Sequence, residues 1–423
     1  MKNLAPVVYT RRILASYQDK LQAFTPNARD YLLSTAVAGA ATGIYRLLFN
    51  FFILSLGFDE RMLGNMITAS SLTILLFALP MGFVTGKIGR KPALILSQIL
   101  VSLSVLGTIL FPTAGVIMAL NVLLGMGQSL SAVSLGPFLM ENSRDKERTY
   151  LFSFSFGIRM ASDFVGNWIG GYLPLLIASL SGSKADSSFV YAVALMVVVI
   201  INTASVLPLF HISKTRISDQ PESTFASPAL LMKEKKRYTI LILPMLITSI
   251  GAGLITPFMN VFFRNVHHLS DHQIGSIFAL GALTTGIGFM VAPAIADRIG
   301  KIQTVVLTQV ISIPFLAALG FSPWLGLAVL AYFIRGTMMN MSGPIYQSYV
   351  LEKVPSESRA TIASLTSMAG NFGFAISPTI SGLLQVNYGF GPAYAGTIFL
   401  YTLSTLMYWY FFVFPDRKEK MLE

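Results

Sequence analysis

Residues 82–92 read Gly-Phe-Val-Thr-Gly-Lys-Ile-Gly-Arg-Lys-Pro, GFVTGKIGRKP, between two apolar runs of more than 20 residues each. Glycines let two helix ends approach closely, and a basic cluster stays out of hydrocarbon. A passage of the same character, Pro-Ala-Ile-Ala-Asp-Arg-Ile-Gly-Lys at 293–301, follows another apolar run, and Gly300 lies 211 residues after Gly89. At that same offset Gly64 falls on Gly275, Gly125 on Gly336, Glu141 on Glu352, Arg148 on Arg359 and Gly171 on Gly382, while Phe51-Phe52 falls on Phe262-Phe263. Matches of glycine and charge at one offset indicate a duplicated chain.

The solvent of these runs follows from composition. Of 423 residues, 54% are hydrophobic and 12% charged, and mean hydropathy is +0.66. A soluble domain carries about 25% charged residues, so this chain has roughly half the charge needed to cover a globular surface. Runs without period-2 alternation argue for helices rather than a β-barrel. Twelve spans are expected near 30–56, 60–85, 92–112, 114–140, 149–180, 188–210, 238–263, 272–296, 303–321, 323–350, 358–385 and 390–414. The expected fold is an all-α membrane protein with 12 transmembrane helices in two six-helix bundles, at 30–210 and 238–414. A segment 1–29, a linker 211–237 and a tail 415–423 complete it.

The net charge of +11 reports topology rather than nucleic-acid binding: of 30 Lys and Arg, 24 lie in the termini and every second loop, and three on the opposite side. By the positive-inside rule both termini face the cytoplasm, in a plasma or inner membrane. Ile13, Leu14, Tyr17, Leu21 and Phe24 recur at helical spacing opposite Arg11, Arg12 and Lys20, the pattern of an amphipathic helix on the inner surface or of a loosely ordered tail. The first apolar run is of spanning length and starts about 30 residues in, so no cleavable signal is expected. With no cysteine, thiol chemistry is excluded.

The two loops and the 6+6 repeat resemble the major facilitator superfamily, whose signature after the second helix is Gly-x-x-x-Asp-Arg-x-Gly-Arg-Lys. The resemblance spans about residues 30–414 and implies a secondary transporter with a central cavity lined by spans one, four, seven and ten. In the first copy Gly82, Gly89, Arg90 and Lys91 fit, while Gly86 stands where the family has Asp. The second copy keeps Asp297, Arg298 and Gly300. The resemblance implies a cytoplasmic gate in which Asp297 braces the start of the fifth helix near Arg148, and Glu141 and Glu352 pair with Arg90, Lys91 or Arg359; solvated charges at helix ends would leave the same residues. Gly166, Gly170 and Gly171 in the fifth span, with Pro378 and Gly382 in the eleventh, resemble the family's Gly-Pro-x-x-Gly-Gly motif of proton-coupled exporters and point to antiport, although helix packing alone accounts for most of it. Asn167 and Asn121 replace that motif's Pro and the family's fourth-span Arg.

Four charges lie inside spans: Arg46, Arg159, Asp163 and Arg335. Each is about ten residues or more from a span end, or ~15 Å deep, and an intramembrane Arg costs at least ~2.5–3.5 kcal/mol. Arg159 and Asp163 are i,i+4 and are expected to neutralise each other. Asp163 is then the candidate proton carrier, restrained by Arg159. Arg46 and Arg335, without acids of their own, are expected to face a shared aqueous cavity and hold an anionic group through planar, forked donors; backbone carbonyls or cavity water would serve a purely structural role. Tyr45, Asn50, Asn121, Gln128, Thr256, Asn260 and Tyr332 extend these faces.

The reading is a transporter of a small anionic or zwitterionic solute by alternating access, with protons as candidate coupling ion and a monomer expected. The alternative is a proton-coupled exporter of lipophilic, often cationic compounds, which would meet three arginines. A membrane receptor or enzyme is remote. No phosphate-binding loop or nucleophile–base pair stands in the sequence, and no catalytic residue, cofactor or metal is expected. His267-His268-x-x-x-His272 would bind metal only weakly, and His211 stands alone.

Overall fold

A computed structural model describes residues 24–143, 145–213, 234–355 and 358–414, with side chains at all of these but 145–150 and 359–360. The expected amphipathic segment before Phe24, most of the linker and the tail lie outside the described residues.

Twelve helical spans run back and forth. The first bundle holds α1 (Pro26–Ser55), α2 (Glu60–Ile88), α3 (Arg90–Leu110), α4 (Ala114–Glu141), α5 (Asp145–Ser181) and α6 (Ser188–Ala204, continued by Val206–His211). The second holds α7 (Lys235–Ile255, a 3-10 turn Thr256–Phe258, then Met259–His267), α8 (Asp271–Ile299), α9 (Lys301–Phe321) and α10 (Leu325–Glu352). It ends with α11 (Arg359–Phe372, a 3-10 turn Gly373–Ala375, then Ser377–Tyr388) and α12 (Gly391–Tyr408, ending in the π-helical Trp409–Val413). Ten of these, α1–α9 and α12, are long and apolar enough to cross a membrane. The α10 span is more polar, holding Arg335 and Asn340, and α11 is interrupted at Gly373, but each has the length.

Local chemistry sets the starts. Thr25 accepts a hydrogen bond from the Ala28 amide ahead of Pro26, Asp59 accepts from Met62, and Ser270 with Gln273 forms a capping box. Between α2 and α3 a single residue, Gly89, makes the turn at φ +89°, and Gly300 does the same between α8 and α9 at φ +95°. That backbone region is essentially closed to residues with a Cβ, which is why glycine recurs there at the repeat offset. The face carrying these two turns is called the basic face below, and the opposite one the far face.

Within the first bundle, α1 and α5 approach so closely that a Cβ on Gly43 would meet the Asp163 carbonyl oxygen and Gly166 Cα at 2.9 Å, and one on Gly166 would clash with the Ala40 carbonyl oxygen. Gly170 rests on Ile44. In the second bundle Gly253 and Gly373 bring α7 and α11 together in the same manner. Small residues let backbones touch where lipid supplies no hydrophobic drive between helices.

Overpacking a site of this kind costs about 1–3 kcal/mol. Gly166→Val is expected to lower the melting temperature of the purified protein by several degrees, whereas Gly157→Val, on the same helix with nothing within 4 Å, leaves it unchanged; a scanning thermal melt checks both.

Candidate functional site

Every hydrogen bond that joins the two bundles among the described residues lies in the half toward the far face. Asn50 of α1 donates to the Asn260 side-chain oxygen of α7 at 3.0 Å and to the Pro257 carbonyl at 2.9 Å, and Asn260 returns a bond to the Leu47 carbonyl at 2.8 Å. The 3-10 turn at Thr256–Phe258 frees the carbonyl that Asn50 takes. Both amides are buried. This corrects the sequence reading of Asn50 and Asn260 as cavity residues: each satisfies the other across the seam, so neither faces open space.

Around them the seal follows the repeat. Gly64 of α2 lies against the Pro378 carbonyl of α11, and Gly275 of α8, its repeat equivalent, lies against Gly171 of α5. Gly382 packs on Glu60 and Arg61, and the Thr379 amide donates to the Thr68 hydroxyl at 3.2 Å. Arg264 ion-pairs with Asp271, sits 3.3 Å over the ring of Phe51, and donates to the Tyr191 hydroxyl at 2.8 Å; Tyr191 in turn donates to Asp271 at 2.8 Å. Arg264 is one of the three cations, with Arg61 and Lys184, that the sequence sets on the side opposite the basic loops. Its signal was the placement of an Arg after Phe262-Phe263 and before Asp271.

The basic face is different. A Cβ at Gly82 or Gly86 would meet nothing within 4 Å, and Asp297 and Arg298 are exposed without an ion pair to any described residue. The expected partner Arg148, like Arg359, lies outside the described side chains. The pairs that do form stay within one bundle: Arg90 with Glu141 at 3.3 Å, and Lys301 with Glu352 at the same repeat positions. Lys91 donates to the Phe210 and Ile212 carbonyls at 2.8 and 2.7 Å, capping the end of α6. Of the expected pairings Glu141 with Arg90 forms, whereas Glu352 takes Lys301 instead of Arg90, Lys91 or Arg359: a one-residue turn at Gly89 or Gly300 sets the base beside the end of its own bundle's α4 or α10.

Between seal and basic face lie the intramembrane charges. Arg46 and Asp163 form an ion pair at 3.3 Å, with the arginine side chain 55% exposed and the aspartate 9%. The second oxygen of Asp163, Oδ1, is buried without a partner. The i,i+4 pairing of Asp163 with Arg159 is therefore overturned. The glycine contact of α1 on α5 brings Arg46 to the carboxylate, while Arg159, one turn nearer the basic face, is exposed and makes no ion pair among the described residues. Arg335 departs from expectation too. It is buried, donates to the Tyr401 hydroxyl at 2.8 Å, and lies 5.6 Å from that ring, which supports the charge through its π face. Its Nε has no partner.

Tyr332 lies on α10. Its ring stacks on Phe278 at 5.7 Å, and its hydroxyl lies within reach of the charges of Arg46, Arg335 and Asp163. Tyr45 turns instead to Phe49, at 4.5 Å, and joins Gln128 around a pocket of about 50 Å³ inside the first bundle. Asn121 lies beside Tyr45 and Phe49 in a separate crevice of the same bundle, donating to the Ile117 carbonyl of its own helix. Thr256 is exposed at the break in α7. The structure thus gathers Arg46, Asp163, Tyr332 and Arg335, and sets Tyr45, Asn121 and Gln128 apart. Tyr401 was missed, since nothing in its local sequence marks it as a partner for Arg335.

Three comparisons bear on this arrangement. The family profile of the Major Facilitator Superfamily matches residues 31–378, and matches again over 241–422. The uncharacterized MFS-type transporter YxaM of Bacillus subtilis (strain 168) is 21% identical over 390 residues, covering 88% of this chain and 93% of that protein. YceJ of the same organism, also an uncharacterized MFS-type transporter, is 22% identical over 254 residues, 59% of this chain and 61% of its own. Among solved structures, the nucleoside transporter NupG superposes with a TM-score of 0.71 at 13% identity, covering 92% of this chain and 99% of its own. A bacterial homolog of the lysosomal transporter Spinster, inward-facing and unoccupied, gives 0.70 at 14% identity over 92% and 96%.

Losing one partner of a buried hydrogen bond costs about 1–3 kcal/mol. Asn260→Ala is expected to open the far face, raising maleimide labelling of a T68C reporter about tenfold; the native chain has no cysteine to interfere. Equal labelling in both backgrounds would remove the asparagine pair from the seal.

Proposed function

The chain belongs to the Major Facilitator Superfamily of membrane transporters, and from that premise we propose that it carries a small organic anion together with a proton by alternating access. The observation behind this reading is the Arg46–Asp163 pair: an ion pair exposed on its arginine side, with one carboxylate oxygen buried and unpartnered. Three arginines against one aspartate favour an anionic or zwitterionic solute over a cation.

The pair works as an exchange device. An incoming carboxylate or phosphate takes the forked donors of Arg46. Asp163, parted from its counter-ion and with Oδ1 already buried without a partner, is the group that takes a proton from cavity water. Anion and proton then load together, and release of the anion returns Asp163 to Arg46 and expels the proton. Joint loading makes symport the natural coupling, in place of the antiport expected from the glycine motif. Packing accounts for that motif: Gly166 and Gly170 seat α1, and Gly171 and Gly382 close the seam. Arg335, held on Tyr401, supplies field rather than first contact.

The excess of Lys and Arg on the basic face supports a cytoplasmic position for it and for both termini. A seal confined to the far face then corresponds to an inward-open state. One polypeptide supplies both halves of the cavity, which supports a monomer as the working unit in the plasma or inner membrane.

A thermal-shift panel of organic anions and lipophilic cations tests the reading. Anions should stabilise the protein. Loss of a charge-assisted hydrogen bond is worth about 1.5–3 kcal/mol, so Arg46→Gln should weaken anion binding roughly 10- to 150-fold, and Arg335→Gln less. Asp163→Asn should keep anion binding and lose its pH dependence. Stabilisation by cations alone, unchanged in Arg46→Gln, would replace this account with a drug exporter.

A further inference from the structure

At the basic face, outside the central cavity, α7, α10 and α12 leave a pocket of about 480 Å³. Its rim holds Lys236 and Arg237 from the start of α7 and Lys353 at the end of α10, against the single carboxylate Glu234. Glu234 is held by Arg237 at 3.7 Å, and Arg237 also donates to the Lys353 carbonyl. Lys353 reaches over the Tyr349 ring at 5.5 Å, leaving its ammonium without an acid among the described residues.

The floor has another character. Phe411 and Phe412 form it, and both belong to the π-helical turn Trp409–Val413, a winding that occurs mostly as single turns and frequently at functional sites. Phe412 packs edge-on against Tyr349 at 5.6 Å. Next to them Trp409 and Tyr410 are exposed, the aromatic pair expected at a membrane–water boundary. Cations therefore stand at headgroup level directly over an aromatic floor at the edge of the hydrocarbon.

We propose that this pocket binds an anionic phospholipid of the basic-face leaflet, the headgroup phosphate in the Lys236–Arg237–Lys353 rim and an acyl chain along Phe411 and Phe412. A soluble phosphate ester would use the rim and leave the aromatic floor idle. The site joins the ends of α7 and α10, the helices that hold Asn260 in the seal and Arg335 beside the cavity.

Native mass spectrometry of delipidated protein in detergent tests this, with phosphatidylglycerol, phosphatidylcholine and glycerol 3-phosphate as probes. Phosphatidylglycerol should be retained, and a K236Q/K353Q variant should bind it more weakly by roughly fivefold for each cation removed. Lys184→Gln, on the far face, should bind as the wild type does. Equal retention of both lipids, equal retention by the double variant, or displacement of phosphatidylglycerol by glycerol 3-phosphate would each overturn the proposal.

Discussion

A guanidinium placed halfway across a bilayer must find an acid, an aromatic face or water, because hydrocarbon offers it nothing. Much of this structure follows from where its arginines find them. Arg46 takes the acid, Asp163, and keeps half its surface open. Arg335 takes an aromatic face and a hydroxyl, both from Tyr401. Arg264 takes Phe51 on one side and Asp271 on the other, and so ties the bundles at the far face. Arg159 is left exposed on α5, one turn from the pair.

The answers depend on backbone contacts that only small residues permit. Gly43 on Gly166 sets α1 close enough to α5 for a 3.3 Å ion pair between residues 117 positions apart. Gly64 on Pro378 and Gly171 on Gly275 then join the two bundles at repeat-related positions. Glycine seams join the bundles at one face, ion pairs within each bundle stand at the other, and the charged pair lies between.

The sequence made the frame legible because its signals are local or periodic. Spanning length, alternating basic loops and the 211-residue repeat are readable without knowing how any helix is rotated, and Gly89 and Gly300 stand where a one-residue turn needs them. The site was legible only in part. That Asp163 was the sole carboxylate at its depth was visible, but the choice between Arg159 one turn away and Arg46 on another helix depends on helix rotation and approach. Asn50 and Asn260 were seen as polar residues on cavity helices. What was not read is that Asn50 directly precedes Phe51-Phe52 and Asn260 stands two residues before Phe262-Phe263, the pair at the repeat offset, so that the two lie near equivalent places in the two bundles. The breaks in α7 and α11 had no clear signal, since Pro257 and Gly373 stand among many prolines and glycines that interrupt nothing.

The central claim is that an anion at Arg46 releases Asp163 to take up a proton. Infrared difference spectroscopy on the purified protein, recorded on adding a stabilising anion, observes that carboxyl group directly. The account predicts a protonated carboxylic C=O band that appears with the anion and is missing in Asp163→Asn. Saturating anion with no such band, Asp163 remaining a carboxylate throughout, would contradict it.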